Sequence, residues 1–164
     1  MSRLIRGNAV SADDWTELDD ATAVPSTAKV IVSLARWRAE RETLAAATAI
    51  GVRVDNSADI QTLWPELRDL PLVALEFPKS GDGRAFSQAR LLREHCGYQG
   101  EIRAIGDVQR DHLQAMQRCG FDAFVPRDDQ DLDDCLRALH EFDLAYQRAA
   151  RDDLPLVWRL RRQA

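Results

Sequence analysis

The chain has 164 residues, of which 45% are hydrophobic and 30% charged, and carries a net charge of −5. This length can bury a real core in one domain without disulfides or metals, and the acidic balance argues against holding a nucleic acid by bulk charge. No apolar run approaches the roughly 18–20 residues of a bilayer-spanning helix, and MSRLIRGNAVSADDW at the start lacks a signal peptide's apolar stretch.

Residues 3–18 read as a hairpin or extended arm, with Gly7-Asn8 as the turn. Residues 19–28 are small and polar and read as a loop. Lys29 to Leu34 is β-branched and forms the first buried strand of the main domain. Residues 36–49 predict a helix stopped by Gly51, and Gly51 to Val54 predicts a short second strand. Ser57 is placed to cap the next helix, whose Ile60, Leu63, Trp64 and Leu67 share a face. Leu72 to Phe77 is the third strand. Residues 84–96 form a helix with Ala85, Ala89, Leu92 and Cys96 on one stripe.

Glu101 to Ile105 is the fourth strand. Asp107 is placed to cap a helix carrying Val108, His112, Ala115, Met116 and Cys119. Phe121 to Val125 is the fifth strand. Asp129 or Asp131 caps a final helix with Leu132, Leu136, Leu139, Phe142 and Tyr146 on one face. The alternation predicts an α/β fold: a single, mostly parallel sheet of about five strands in βα units, flavodoxin-like or half-barrel-like. The chain divides into an N-terminal arm or hairpin (1–28), the α/β domain (29–150) and a tail (151–164). An open sheet leaves edges that favour a homo-oligomer.

In such sheets ligands bind at the carboxyl ends of the strands. The loop after the third strand, Phe77-Pro78-Lys79-Ser80-Gly81-Asp82-Gly83-Arg84, combines two glycines with two cations and leads into a helix. It reads as a site for a small oxyanion. It is not a dinucleotide fingerprint, because the third glycine is missing and Arg103 stands where a carboxylate is expected; nor is it a Walker loop. Ser87, Arg103, Asp107 and Arg127 extend the candidate ligand set, and Asp82 and Asp107 are the candidate proton-handling groups. Arg103, inside a strand, needs a partner, which Glu76 or Asp107 would supply. The acids from Asp128 to Asp134 read as a solvated helix start.

His95, His112 and His140 lie on separate helices with no ligand spacing, so no metal site is expected. Cys96, Cys119 and Cys135 form no Cys-x-x-Cys pair and read as reduced thiols of a cytoplasmic protein. Leu156, Val157 and Trp158, beside Arg159, Arg161 and Arg162, read as a partner-binding peptide.

FPK-x2-DGR-x2-S-x-ARLLRE, GY-x-GE-x-RA-x-GDV and M-x-RCGFDAF together resemble the bacterial family of unknown function 934, from the N-terminal arm to about Tyr146. The matching positions include Lys79, Asp82, Gly83, Arg84, Ser87, Arg103, Gly106 and Asp107; Ser80-Gly81 departs from the family's usual pair. The resemblance implies a place beside assimilatory sulfate and sulfite reduction and an oxidoreductase label. The expected function is an accessory protein of that pathway, binding a protein partner and a small oxyanion. The alternatives are an enzyme acting on a small anionic substrate, or a nicotinamide- or flavin-dependent oxidoreductase. No cofactor motif appears in the residues themselves.

Overall fold

The computed structural model describes residues 3–25, 27–45, 47–141 and 149–150. It is an α/β domain built on one eight-stranded, mostly parallel sheet in the order β2-β1-β8-β7-β6-β5-β4-β3. Strands β4 (Lys29–Ser33), β5 (Ala49–Val54), β6 (Leu72–Phe77), β7 (Glu101–Gly106) and β8 (Ala123–Phe124) are the five expected from the apolar runs. Three more come from the arm: β1 (Arg3–Arg6), β2 (Ala9–Ala12) and β3 (Trp15–Glu17). These pieces of three or four residues carry mixed polarity and show no buried periodicity. They are strands because the sheet pairs with them.

β1 and β2 form the expected hairpin, with Gly7 supplying φ 58° in its two-residue turn. β1 runs antiparallel to β8, so β2 runs in the same direction as the parallel strands. β3 lies at the other edge, parallel to β4. Only Asp13 and Asp14 separate β2 from β3, and two intervening residues span at most about 11 Å. Segment 9–17 is therefore one extended piece that pairs with β1 by its first half and with β4 by its second. The sheet must curl until its edges approach each other. The parallel strands make a half-barrel, and segment 9–17 crosses between its ends.

Strands β3 to β8 lie side by side in chain order. Right-handed crossovers then put the helices that connect β4 to β8 on the outer face. That face buries the main core, including Val52, Val73, Leu75, Phe77, Ile102, Ala104 and Phe124 beneath α3 (Ile60–Leu67), α4 (Arg84–Arg90), α5 (Leu113–Cys119) and α6 (Leu132–Leu139). The inner face carries a second cluster, Ile31, Leu72, Ala74 and Ile105, with Trp15 and Val125 packed against it.

Several local expectations are corrected. Residues 36–49 are not one helix: α1 (Leu34–Ala39) and α2 (Arg41–Leu44) are followed by β5 from Ala49. The ladder to β4 outweighs helical propensity from Ala49 onward. Gly51 is no helix stop; it lies within β5, where an added Cβ would stand 2.7 Å from Leu72 Cδ2. Asp59, not Ser57, caps α3 by accepting the Gln61 N–H. Asp107 caps no helix, because a 3₁₀ turn (Arg110–His112) precedes α5 and shifts its register: Leu113 and Met116 are buried, whereas Ala115 is exposed. The helix expected over 84–96 is present as α4, and only its last part, Leu91–His95, departs, as a π-helical turn. Asp131 does cap α6. Phe142, Tyr146 and the tail with Leu156, Val157 and Trp158 lie outside the described residues.

Candidate functional site

The loop after β6 and the ends of β7 and β8 meet, as expected, at the carboxyl edge of the sheet. Gly106 makes this meeting close. It ends β7 at φ 88°, and a Cβ there would stand 2.4 Å from the Phe77 carbonyl oxygen. Asp107 N–H donates to that same carbonyl at 2.7 Å. The Asp107 carboxylate turns to the loop and accepts the Ser80 N–H at 2.7 Å. On its other oxygen it meets Arg127 Nη1 at 3.2 Å. Arg127 also grips Asp129 through two donors.

Arg84 folds back onto Asp82 with Nε and Nη2 both donating. Lys79 is exposed and makes no ion pair among the described residues, and Ser87 is exposed on α4. Gly81 and Gly83 have no positive φ, and an added Cβ at Gly81 would meet nothing within 4 Å. The glycines leave this loop open without being sterically required.

At the edge both arginines, Arg84 and Arg127, are thus already paired with carboxylates, and Lys79 is not. The Arg84 guanidinium and backbone N–H hold the Asp82 carboxyl far below the usual carboxylate range. The Ser80 N–H, then Arg127, lower Asp107. A carboxyl whose folded pKa is depressed contributes stability that is present above about pH 4, its unfolded value, and is lost as pH falls through the folded pKa. Asp107→Asn is therefore expected to reduce stability near neutrality and to flatten the loss below about pH 4. Urea midpoints measured from pH 2 to pH 7 check this, and parallel curves for the two proteins would refute it.

Arg103 does not join the edge. Its side chain, 2% exposed, sits on the inner face. The expected partners Glu76 and Asp107 are not used. Glu76 is in register with Ile105, and Asp107 is held by Ser80 and Arg127. Arg103 Nη1 instead binds both oxygens of Asp13, at 3.0 and 3.1 Å, and Nε donates to Glu101 at 3.0 Å. Nη2 lies 3.0 Å from Glu101 but makes no hydrogen bond. Glu101 also binds Arg6, which with Lys29 takes Asp14, and Arg53 binds Glu17.

Of these residues Asp13, Asp14, Glu17 and Arg103 line a cavity of about 670 Å³. Gly106 and Val125, at the carboxyl ends of β7 and β8, line it together with Asp13, Trp15, Ile31 and Arg103. The cavity joins Asp13-Asp14-Trp15 to a strand whose Arg103 lies ninety residues away, a pairing that no local pattern marks. The one local signal was a basic residue inside an apolar strand.

Burial raises the thiols of Cys96, Cys119 and Cys135, which makes them weak nucleophiles. Among the described residues no group of three His, Cys, Asp or Glu side chains is arranged to hold a metal, and no helix is long and apolar enough to cross a membrane.

Fold and site together define an α/β half-barrel protein with an inner cavity and a carboxyl edge whose arginines are paired with carboxylates. The chain belongs to a family described as bacterial protein of unknown function (DUF934), whose model matches residues 51–157. The match starts within β5, so β1 to β4 and the arm's share of the cavity precede it. No curated protein matches the chain.

Proposed function

We propose that this protein is an accessory protein of assimilatory sulfite reduction that acts by binding. It engages a protein partner of the pathway and takes a small oxyanion at Lys79, Arg84 and Arg127. The observation that favours binding over catalysis is the commitment of both candidate acid–base groups. Asp82 is spent on Arg84, and Asp107 on Ser80 N–H and Arg127. Carboxylates held so low are poor bases near neutrality and carry no proton to donate. Asp107 then plays the part of a resident anion, which an incoming oxyanion replaces on the Ser80 N–H and Arg127.

Two expected results test this. In a host strain lacking the protein, growth on sulfate as sole sulfur source is impaired and growth on cysteine is not. Asp82→Asn restores growth as well as the original sequence does. Normal growth of the deletion strain on sulfate removes the pathway reading, and failure of Asp82→Asn with its fold intact favours the enzyme. Second, Asp107→Asn removes the internal competitor and enlarges the rise in melting temperature produced by millimolar sulfite or sulfate. No rise in either protein removes the oxyanion.

A further inference from the structure

Ala74, in the middle of β6, is flanked on the inner face by two guanidiniums: Arg53 stands opposite it on β5 and Arg103 on β7. Two residues on, at the carboxyl end of the strand, side-chain alternation puts Glu76 on the same face, after Leu72 and Ala74. Neither arginine turns to it. Arg53 Nη1 donates to Glu17 at 2.7 Å, and Arg103 is held by Asp13 and Glu101. Glu76 is half-buried and makes no hydrogen bond or ion pair among the described residues. Asp13, Asp14, Glu17 and Glu101, by contrast, each hold a cation. A carboxylate withdrawn from water without a partner costs free energy, which a ligand's positive group recovers.

Glu76 borders the inner cavity. Its neighbour in the ladder is Ile105, one strand spacing of about 4.8 Å away, and Ile105 and Gly106 both line the cavity. Inward-facing residues at the carboxyl ends of strands are where barrels build their sites. At about 670 Å³ the cavity falls within the range of roughly 300–1,000 Å³ typical of organic-ligand pockets. Trp15, Ile31, Ile105 and Val125 supply an apolar wall, continuous with the inner-face cluster. The lining gives an anion no preference, since Asp13, Asp14 and Glu17 stand there with Arg3 and Arg103. Arg3 is exposed and begins β1, three strands from β6 in the sheet.

We propose that the inner cavity binds a small organic cation of single charge, its apolar body against Trp15, Ile31, Ile105 and Val125 and its ammonium group at Glu76. A polyamine would bring more charge than one free carboxylate offsets. A bare metal ion is not matched, because among the described residues no three His, Cys, Asp or Glu side chains converge to hold one. The proposal stands apart from the pathway reading, because it uses none of Lys79, Ser80, Arg84, Asp107 and Arg127.

The probe is tryptamine, compared at pH 7 with neutral tryptophol and anionic indole-3-propionate, which share its ring. Binding to the full chain is followed by thermal shift and by protein-observed NMR. Tryptamine is expected to bind saturably and raise the melting temperature, with each comparison compound at least about tenfold weaker. It is also expected to shift the Trp15 indole N–H resonance, assigned by its loss in Trp15→Phe. Glu76→Gln is expected to weaken tryptamine about tenfold and leave tryptophol unchanged. The same variant without ligand is expected to melt no lower than the original chain, because no native partner is lost. Four results would each overturn the proposal: no binding of tryptamine, equal binding of tryptophol, unchanged tryptamine affinity in Glu76→Gln, or an unmoved Trp15 resonance. A lower melting temperature for ligand-free Glu76→Gln would overturn it too, by showing that the carboxylate already serves the fold. Asp107→Asn, which alters the edge, is expected to leave tryptamine affinity unchanged, so failure of the oxyanion reading does not touch this one.

Discussion

Arg93→Met is expected to destabilise the protein by about 3–5 kcal/mol, the usual cost of removing one partner from a buried ion pair. The Arg93 side chain is 3% exposed and lies in the π-helical turn after α4. Its Nε donates to the Gly120 carbonyl at 2.9 Å, and its Nη1 donates to those of Tyr98 at 2.6 Å and Gly100 at 2.9 Å. Nη2 binds Asp122, whose carboxylate also accepts the Ile102 N–H. One guanidinium thus ties the helical layer to the start of β7, the end of α5 and the approach to β8. Methionine fills similar space and leaves the carbonyls and Asp122 without these donors. Gly120 permits the arrangement: at φ 107°, an added Cβ would stand 2.4 Å from Arg93 Cγ. Urea unfolding checks the prediction. A loss below about 1 kcal/mol would mean that water replaces the lost donors and that the cluster is not the staple argued here.

Arg103→Met is expected to cost about 3 kcal/mol or more by the same mechanism on the other face of the sheet. It strands Asp13, which is 12% exposed, and leaves Glu101, which is 18% exposed, to Arg6 alone. The loss is specific to charge, so Asp13→Asn in the Arg103→Met background should restore part of it. A double-mutant cycle is expected to give a coupling of about 1–3 kcal/mol. Additive single losses would show that Arg103 stabilises by packing alone, with Asp13 an incidental neighbour.

The parts of the fold readable from sequence are those with local causes. β4 to β8 are β-branched or apolar runs, α3 shows helical spacing, and Asp131 stands where α6 begins. The unreadable parts depend on residues far apart. Nothing in Trp15-Thr16-Glu17 marks a strand until β4 offers its ladder. The alanine-rich stretch before Ile50 favours a helix until β4 pairs with the chain from Ala49 onward. The site divides the same way. That Lys79, Arg84, Asp107 and Arg127 gather at one edge follows from the βα alternation. That the carboxylates neutralise the arginines depends on rotamers, which no spacing encodes. The choice of Asp13 over Glu76 by Arg103 depends on the curl of the sheet.

The crossing of segment 9–17 also governs the order in which the chain can complete itself. Ile5 pairs with Phe124, so the first strand made must wait for almost the last before its outer ladder forms. Parallel pairings of β4 to β7 can assemble earlier, leaving β1 to β3 attached only through β3 and β4. Closing contacts of such long sequence separation carry a loop-closure cost that slows folding. A nascent or truncated chain ending before β8 therefore presents an unsatisfied strand, an arm without its mate and an unsealed inner face, the kind of surface that chaperones engage. The seam that shapes the cavity is also the last to be sewn.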